Sequence, residues 1–450
     1  MISIKIKKGC FLNIGGKPSP DSEELGKPLR VAMLPEKIPF IKPRLLVKPD
    51  YTVKIGSPLF EDKRQPVIRF LSPGAGKVKE INFGPRRIVR EIVIELDDKE
   101  DFVGFEAFSE NDIQRIDREK LVNAILNGGL WHLIREFPFR DIARYKSVPP
   151  AIFVSLGAME PFHPQPEIYL KDKQDLFLYG ISVLKKLAPQ VFIAASQDSA
   201  SVLKDGIITH LIDGHYPADD PGVFLYHTKT SAAENRSWYI SGQDILLLAQ
   251  LLKTGRYPIE RTITLGGSMA AEKKHLKTRI GAPLSHIVRE RILHNGKSPR
   301  YVVGGIFRGY TASPESYMSL YETSLTLIPD SDEREFLSFI RPGYDKPSFS
   351  KTFLSVFNKA PSDMSANLRG EERGCVGCNS CVKVCPVDIM PNFAFKSVLA
   401  DEIEEALAHG LLDCVECGLC SYVCTSKIEI CDILKKSKAK YYNEQAAPTG

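Results

Sequence analysis

Cys375-Val376-Gly377-Cys378-Asn379-Ser380-Cys381-Val382-Lys383-Val384-Cys385-Pro386 and, further on, Cys414-Val415-Glu416-Cys417-Gly418-Leu419-Cys420-Ser421-Tyr422-Val423-Cys424 are two copies of one pattern. Each reads C-x2-C-x2-C-x3-C, and Thr425 stands where the first copy has Pro386. Three thiolates at that spacing cap three corners of an iron-sulfur cubane, and the fourth cysteine of each copy serves the other cluster. The pattern therefore predicts two 4Fe-4S clusters. One is held by Cys375, Cys378, Cys381 and Cys424, the other by Cys385, Cys414, Cys417 and Cys420. Zinc is the competing reading, because paired C-x2-C motifs also make tetrahedral thiolate sites. A zinc ion needs only four thiolates and has no use for the doubled run, so iron-sulfur ligation is the better account.

Nine of the ten cysteines lie between 375 and 431, with Cys10 alone outside. That is a local site rather than a dispersed disulfide framework, and it implies a reducing cytoplasm. Cys431 and Cys10 are left over and read as buried, inert thiols. Lys435, Lys436, Lys438 and Lys440 follow the second motif and read either as a docking surface for an acidic patch or as a solvated helix face.

Outward from the cysteines, the 450 residues and 43% hydrophobic content predict about three or four domains. The +5 charge is spread over 60 basic and 55 acidic residues that intermix along the chain, which argues against nucleic-acid binding. Met1 to Lys5 alternates like a strand and has no signal-peptide core. The most apolar stretch, Ile245 to Leu252, falls far short of the roughly 18 residues a membrane span needs and reads as a buried helix. From Leu29 to Leu96, short β-rich runs (Arg30 to Leu34, Gln65 to Leu71, Ile88 to Leu96) predict a small β barrel or sandwich. Ala151 to Leu156, Val191 to Ala195 and Ile207 to Ile212 alternate with helical patterns such as Asp175 to Leu187, the signature of a Rossmann-like parallel α/β layer. From Thr262 to about Pro342, short strands around one helix-like stretch, Leu284 to Ile292, predict a β-grasp unit. The domain expectation is 1–108, 109–255, 256–345 and a helical ferredoxin-type 346–450.

No P-loop, H-E-x-x-H or G-x-S-x-G is present, and the nine histidines show no ligand spacing; His215 reads as structural. Val47 to Leu59 followed by Ser72 to Val78 resembles the two halves of the barrel-sandwich hybrid of biotinyl and lipoyl carriers. Between them lies Glu61-Asp62-Lys63-Arg64, where an unmodified surface lysine is the ordinary reading of Lys63.

The chain as a whole resembles the NqrA family, the A subunits of the sodium-translocating NADH:quinone oxidoreductase. The matching residues run through Pro58-Leu59-Phe60-Glu61-Asp62-Lys63, Ser72 to Val78, Gly129-Leu130-Trp131 with Arg135 and Pro138-Phe139, and Asp213 to Ala218. They continue with Gln243-Asp244, Gly255, Arg279, Gly281-Ala282, Pro342-Gly343 and Lys351 to Leu354. Such proteins are similar in fold to the C subunit of the Rnf complex and to the flavin subunit of respiratory complex I. The resemblance implies a barrel-sandwich hybrid, a Rossmann-like domain and a β-grasp (SLBB-like) domain, to which the cysteine motifs add a two-cluster ferredoxin tail. The sodium-pump family generally lacks the double motif, whereas the Rnf protein carries it at this position.

Where the Rnf and complex I relatives cradle flavin in a Gly-x-Gly-Gly-Ala-Gly-Phe-Pro-Thr loop, this chain has Asn127-Gly128-Gly129-Leu130-Trp131-His132. Leu130 and Trp131 would fill the space that backbone glycines keep open, so FMN and NADH binding are not expected. Glu160-Pro161 is similar to an acidic-proline pair of the flavin-binding relatives. By the same resemblance, Lys27 to Pro43 and Gly129 to Phe139 are associated with ubiquinone or menaquinone, with Met33, Phe40, Trp131, Phe137 and Phe139 as candidate contacts; apolar packing explains them equally well. Two functions follow from the resemblance. One is a peripheral subunit of a sodium-transporting NADH:ubiquinone reductase, on the cytoplasmic face of the inner membrane among other subunits of the complex. The other is an Rnf-type electron-input module or ferredoxin-like adaptor.

Overall fold

A computed structural model describes the chain except residues 158, 204–205, 331–339, 341, 345–348, 350–352, 363, 365, 367–369 and 447–450. Lys351 and Thr352 of the family-like stretch thus lie outside the described residues.

Alternation of apolar and polar residues sorts the N-terminal β region into two antiparallel sheets. Arg30–Met33, Val89–Leu96, Gly76–Phe83 and Thr52–Val53 form one in that order; Pro43–Leu45, Pro58–Asp62 and Gln65–Leu71 form the other. Val31, Val78, Ile92 and Ile94 from the first and Leu59, Phe60, Ile68 and Phe70 from the second share one core. The sandwich expected from composition is therefore present.

A seven-stranded sheet occupies the middle of the molecule, ordered Ile2–Lys5, His210–Asp213, Val191–Ser196, Ile152–Ser155, Trp238–Ser241, Arg135–Glu136, Asp141–Ile142. Its first five strands run parallel, and the last two add an antiparallel edge. A buried parallel sheet must be covered on both faces, and the period of two assigns each residue to a face. Ile152, Val154, Ile193, Ala195, Trp238 and Ile240 point into one core. Helices Gln174–Leu187 and Gly242–Thr254 pack there against each other, in contact at Gly180, where a Cβ would stand 2.4 Å from Ile245 Cγ2. Phe153, Ala194 and Ile212 point the other way, into a second core with Phe224 of the helix Pro221–Thr228 and with the cysteine-rich tail.

Six strands make the third unit, in the order Tyr310–Ala312, Ser298–Val303, Ser324–Asp330, Glu260–Gly266, Lys274–Arg279, Ser22–Glu24. The helix expected from Leu284 to Ile292 spans only Leu284–Ile287. Beyond it the chain is extended by bonds from Ala271 N–H to Arg291 O (2.8 Å) and Leu293 N–H to Met269 O (2.9 Å), which pair Ile292 with Ala270.

Two short N-terminal strands stray from the sandwich that the first 108 residues were expected to form. Ile2–Lys5 edges the seven-stranded sheet and Ser22–Glu24 edges the six-stranded one. The tail is helical: Ser380–Val384, Pro391–Leu399, Ile403–Ala408, Leu419–Tyr422 and Ile430–Ala446. Among the described residues no helix is long and apolar enough to cross a membrane.

Candidate metal centre

Both cysteine loops repeat the same backbone. Gly377 (φ 68°) and Glu416 (φ 56°) are left-handed between the first and second cysteines, and Asn379 (φ 59°) and Gly418 (φ 79°) between the second and third. Left-handed residues alternating with ordinary ones turn successive N–H groups toward one side, a nest suited to an anionic iron-sulfur core. At Gly418 a Cβ would also lie 2.7 Å from the Phe307 carbonyl oxygen, so glycine is required twice over. Glu416 takes the left-handed form at a cost of about 1 kcal/mol, while its carboxylate meets Lys438 Nζ at 3.3 Å.

Behind the second loop lies a narrow apolar cavity walled by Val384, Val387, Ile389, Leu419 and Leu434. Cys414, Cys417 and Cys420 line it, and so do Cys381 and Cys385 from the first motif. Cys431, to which the sequence assigned no part, stands on the same wall. Backbone clamps fix the loop: Tyr216 OH donates to Cys417 O (2.8 Å), Lys438 Nζ to Cys414 O (2.8 Å), and His227 Nε2 to Pro386 O (2.8 Å). Lys438 is 2% exposed. It therefore does not belong to a docking surface with Lys435, Lys436 and Lys440. Burial pushes the Cys417 thiol up to about 12, and Cys414 rises well above the usual range for the same reason. Metal entering here must displace protons, which makes its affinity rise with pH.

Three of the other four thiols lie nearer solvent, and Cys381 lines the second cavity. Cys375 and Cys378 are exposed, Cys424 is half-buried and Cys381 is buried. Cys378 Sγ is 3.7 Å from the hydroxyl of Thr425, the neighbour of Cys424. Arg373 N–H donates to Ser426 O (2.9 Å) and Ser426 Oγ to Gly374 O (2.9 Å), sewing the start of the first motif to the end of the second. Among the described residues no group of three or more His, Cys, Asp or Glu is placed to hold a single metal ion. Six thiols, those of Cys381, Cys385, Cys414, Cys417, Cys420 and Cys431, line the one cavity.

Loops from the body brace this tail. Glu160 Oε1 accepts from the N–H groups of Phe307 (3.1 Å) and Arg308 (3.2 Å), and Phe307 stacks on Tyr216 at 4.8 Å. Phe307 is the residue whose carbonyl crowds Gly418. The acidic-proline pair thus supports the second loop. Asp220, buried at the start of the helix Pro221–Thr228, meets Arg140 and Arg308 at 2.7 Å each. Burial opposes its charge, but the two guanidinium groups outweigh burial and hold the carboxylate well below its usual range. Lys229 reaches Asp413 (2.7 Å) and Lys8 reaches Asp388 (2.6 Å).

Over the carboxyl ends of Ile152–Ser155, Val191–Ser196 and His210–Asp213 opens a cleft of about 740 Å³, lined among others by Glu160, His163, Glu167, Asp198, Asp213 and His215. Open parallel sheets commonly bind ligands at this edge.

The five quinone candidates do not form one cluster. Met33 (2% exposed) and Trp131 (1%) belong to the core shared by the sandwich and the α/β layer, and the Trp131 indole N–H donates to Ala143 O (2.7 Å). Phe137 packs in the second core against Tyr239, with ring centres 4.8 Å apart. Phe40 and Phe139 do converge, both on Tyr442 of the C-terminal helix, at 4.5 and 4.8 Å. The Tyr442 hydroxyl donates to Asp141, which also pairs with Arg64 (2.8 Å). Arg64 follows the exposed Lys63, so the hairpin tip is pinned to the α/β layer.

This is a multidomain α/β protein with a C-terminal 4Fe-4S domain. Residues 374–428 match the model described as a 4Fe-4S dicluster domain. Residues 4–97 match the NqrA N-terminal barrel-sandwich hybrid domain, 116–257 the NqrA second alpha/beta domain, and 262–313 the NQRA C-terminal domain. The chain belongs to the NqrA family, the A subunits of the Na(+)-translocating NADH-quinone reductase. It is 30% identical to the family member from Vibrio campbellii, covering 96% of this chain and 98% of the relative. It is 30% identical to the one from Saccharophagus degradans, covering 98% and 100%. Among solved structures, an NAD+-reducing NiFe hydrogenase in its H2-reduced state shares 11% identity at a TM-score of 0.31, over 49% of this chain and 47% of that one, too remote to bear on the fold.

Proposed function

We propose that the chain is the peripheral electron-transfer subunit of a membrane Na+-translocating NADH:quinone oxidoreductase, with two 4Fe-4S clusters in its tail. The observation that carries this reading is the meeting of Cys385 with Cys414, Cys417 and Cys420 on a cavity wall that Cys381 also lines, in a chain whose body is of the NqrA family. Cys375, Cys378, Cys381 and Cys424 are the other ligand set. Bound clusters supply one-electron transfer. The chain's own residues hold them: thiolates ligate, the nests present N–H groups, and the apolar wall keeps water from the second site. The exposed loop at Cys375 and Cys378 is the face offered to a partner subunit.

The finer organisation belongs to the same proposal. The parallel strand order supports a Rossmann-like reading of 109–255, and the domains 1–108, 256–345 (β-grasp) and 346–450 complete it, apart from the two strands that stray. Quinone is proposed to meet the chain at Phe40 and Phe139, the two candidates left partly exposed, with Met33, Trp131 and Phe137 as supporting core. No stoichiometric flavin is proposed, since Leu130 and Trp131 pack the position of the flavin loop. The membrane face is the cytoplasmic one, and the partners are the remaining subunits.

The test is to assemble the complex with Cys417→Ala protein and follow NADH-driven quinone reduction. Turnover should collapse. Unchanged turnover with the clusters demonstrably missing overturns the reading. The cleft above the parallel sheet favours one second reading, an Rnf-type input module that takes electrons from a soluble carrier. Tight FMN in the purified protein, or cluster bleaching by NADH, would select it.

A further inference from the structure

Eight cysteines satisfy two cubanes, yet six thiols line the second cavity: Cys385, Cys414, Cys417 and Cys420 of the second ligand set, Cys381 of the first, and Cys431 of neither. Cys431 lies in the first turn of the helix Ile430–Ala446. Its thiol lines the same cavity as the Cys420 thiol. Its N–H donates to Ser421 Oγ at 2.9 Å, so the residue after Cys420 tethers the residue that faces Cys420. Thiolate is the ligand iron-sulfur clusters take.

We propose that Cys431 is a reserve ligand of the second cluster, able to take the iron corner that Cys420 holds. The exchange breaks one iron-sulfur bond to Cys420 and forms one to Cys431. The proton of the Cys431 thiol passes to the released Cys420 thiolate, and no electron is gained or lost. Both residues already line one cavity. The inference rests on the reading that Cys385, Cys414, Cys417 and Cys420 hold a cluster.

The experiment compares full-length protein, reconstituted anaerobically, as wild type, Cys420→Ala, Cys431→Ala and the double variant. Alanine is used because a serine oxygen can itself ligate iron. Iron and sulfide content and the paramagnetic resonance of the reduced protein are the readouts. Wild type, Cys420→Ala and Cys431→Ala should each hold about eight iron, and the double variant about four. Cys420→Ala should show a resonance altered in shape from wild type. About four iron in Cys420→Ala, no more than in the double variant, overturns the reserve ligand. Four iron already in wild type overturns the two-cluster reading instead, so the two failures are distinguishable. Should Cys420→Ala not fold, the rate at which a chelator strips iron from Cys431→Ala decides: several-fold faster loss than wild type supports the proposal, and an equal rate overturns it.

Discussion

Cys385 sits in the first motif by sequence and on the wall of the second cavity in the fold. Cys385→Ala should therefore lower iron from about eight to about four per chain while the exposed site stays loaded. Loss confined to the exposed site, read by iron analysis and paramagnetic resonance, would refute crossed ligation. Lys438 offers a second test. Its ammonium is buried between the Cys414 carbonyl and Glu416. Lys438→Met removes a positive charge beside the proposed second cluster, so that cluster's reduction potential should fall. The Glu416 carboxylate, left without its partner, should cost about 3 kcal/mol of stability. Redox titration and denaturant unfolding check the two effects. His132 gives a pH signature. Burial, aided by Arg261 and Arg135, lowers its pKa to about 3, and its ring stacks on Phe70 at 4.9 Å. The unfolded chain takes up a proton near pH 6.5 that the fold refuses down to about pH 3, so stability falls by about 1.4 kcal/mol per pH unit on acidification through that window. His132→Phe should flatten this slope in unfolding curves taken between pH 6.5 and 4. An unchanged slope would exclude His132 as its source.

The C-terminal helix Ile430–Ala446 is the element that joins the metal site to the body. Cys431, Leu434, Lys438 and Tyr442 recur at helical spacing, so one face carries all four. From Cys431 to Tyr442 that face spans roughly 16 Å. It begins at the second cavity and ends on Phe40, Phe139 and the Asp141–Arg64 pair. A chain ending at Lys436 would lose Lys438 and Tyr442 together. It should shed the second cluster's iron during purification, keep the first, and melt at a lower temperature. Full iron content with an unchanged melting temperature would show that the helix end is dispensable.

At the scale of the whole molecule, the central sheet couples everything. One face shares a core with the N-terminal sandwich and the other with the cysteine-rich tail. Phe153 of the sheet meets Phe224 edge-to-face at 4.9 Å within the core that also holds Cys385, Cys414 and Cys420. A contact of that geometry adds about 0.5–1.5 kcal/mol beyond area burial. Ligation in the tail should therefore stabilise the sheet, as any ligand that binds only the folded state does. Calorimetry of cluster-loaded protein should show the sheet and tail melting together, at a higher temperature than the same chain stripped of iron. A separate tail transition, with the main one unmoved by iron removal, would show that the shared core does not couple them.

The 4Fe-4S domain, the strands at Ile152 and Val191, and the helices from Gln174 and Gly242 were legible in the sequence, because thiolate spacing and apolar period act over a few neighbouring residues. The end of the helix after Ile287 was not legible, since the pairing of Ile292 with Ala270 overrides a helical pattern. The strand at Ile2 was, but not its place in the parallel sheet. Lys438 and Cys431 read as a surface charge and a spare thiol; only packing of the last helix on the cysteine loops buries the first and brings the second to a cavity wall. Likewise Phe40 and Phe139 stand apart from Met33, Trp131 and Phe137 only in three dimensions. Burial and proximity between distant segments depend on which faces meet, and that is decided by the assembled cores rather than by local pattern.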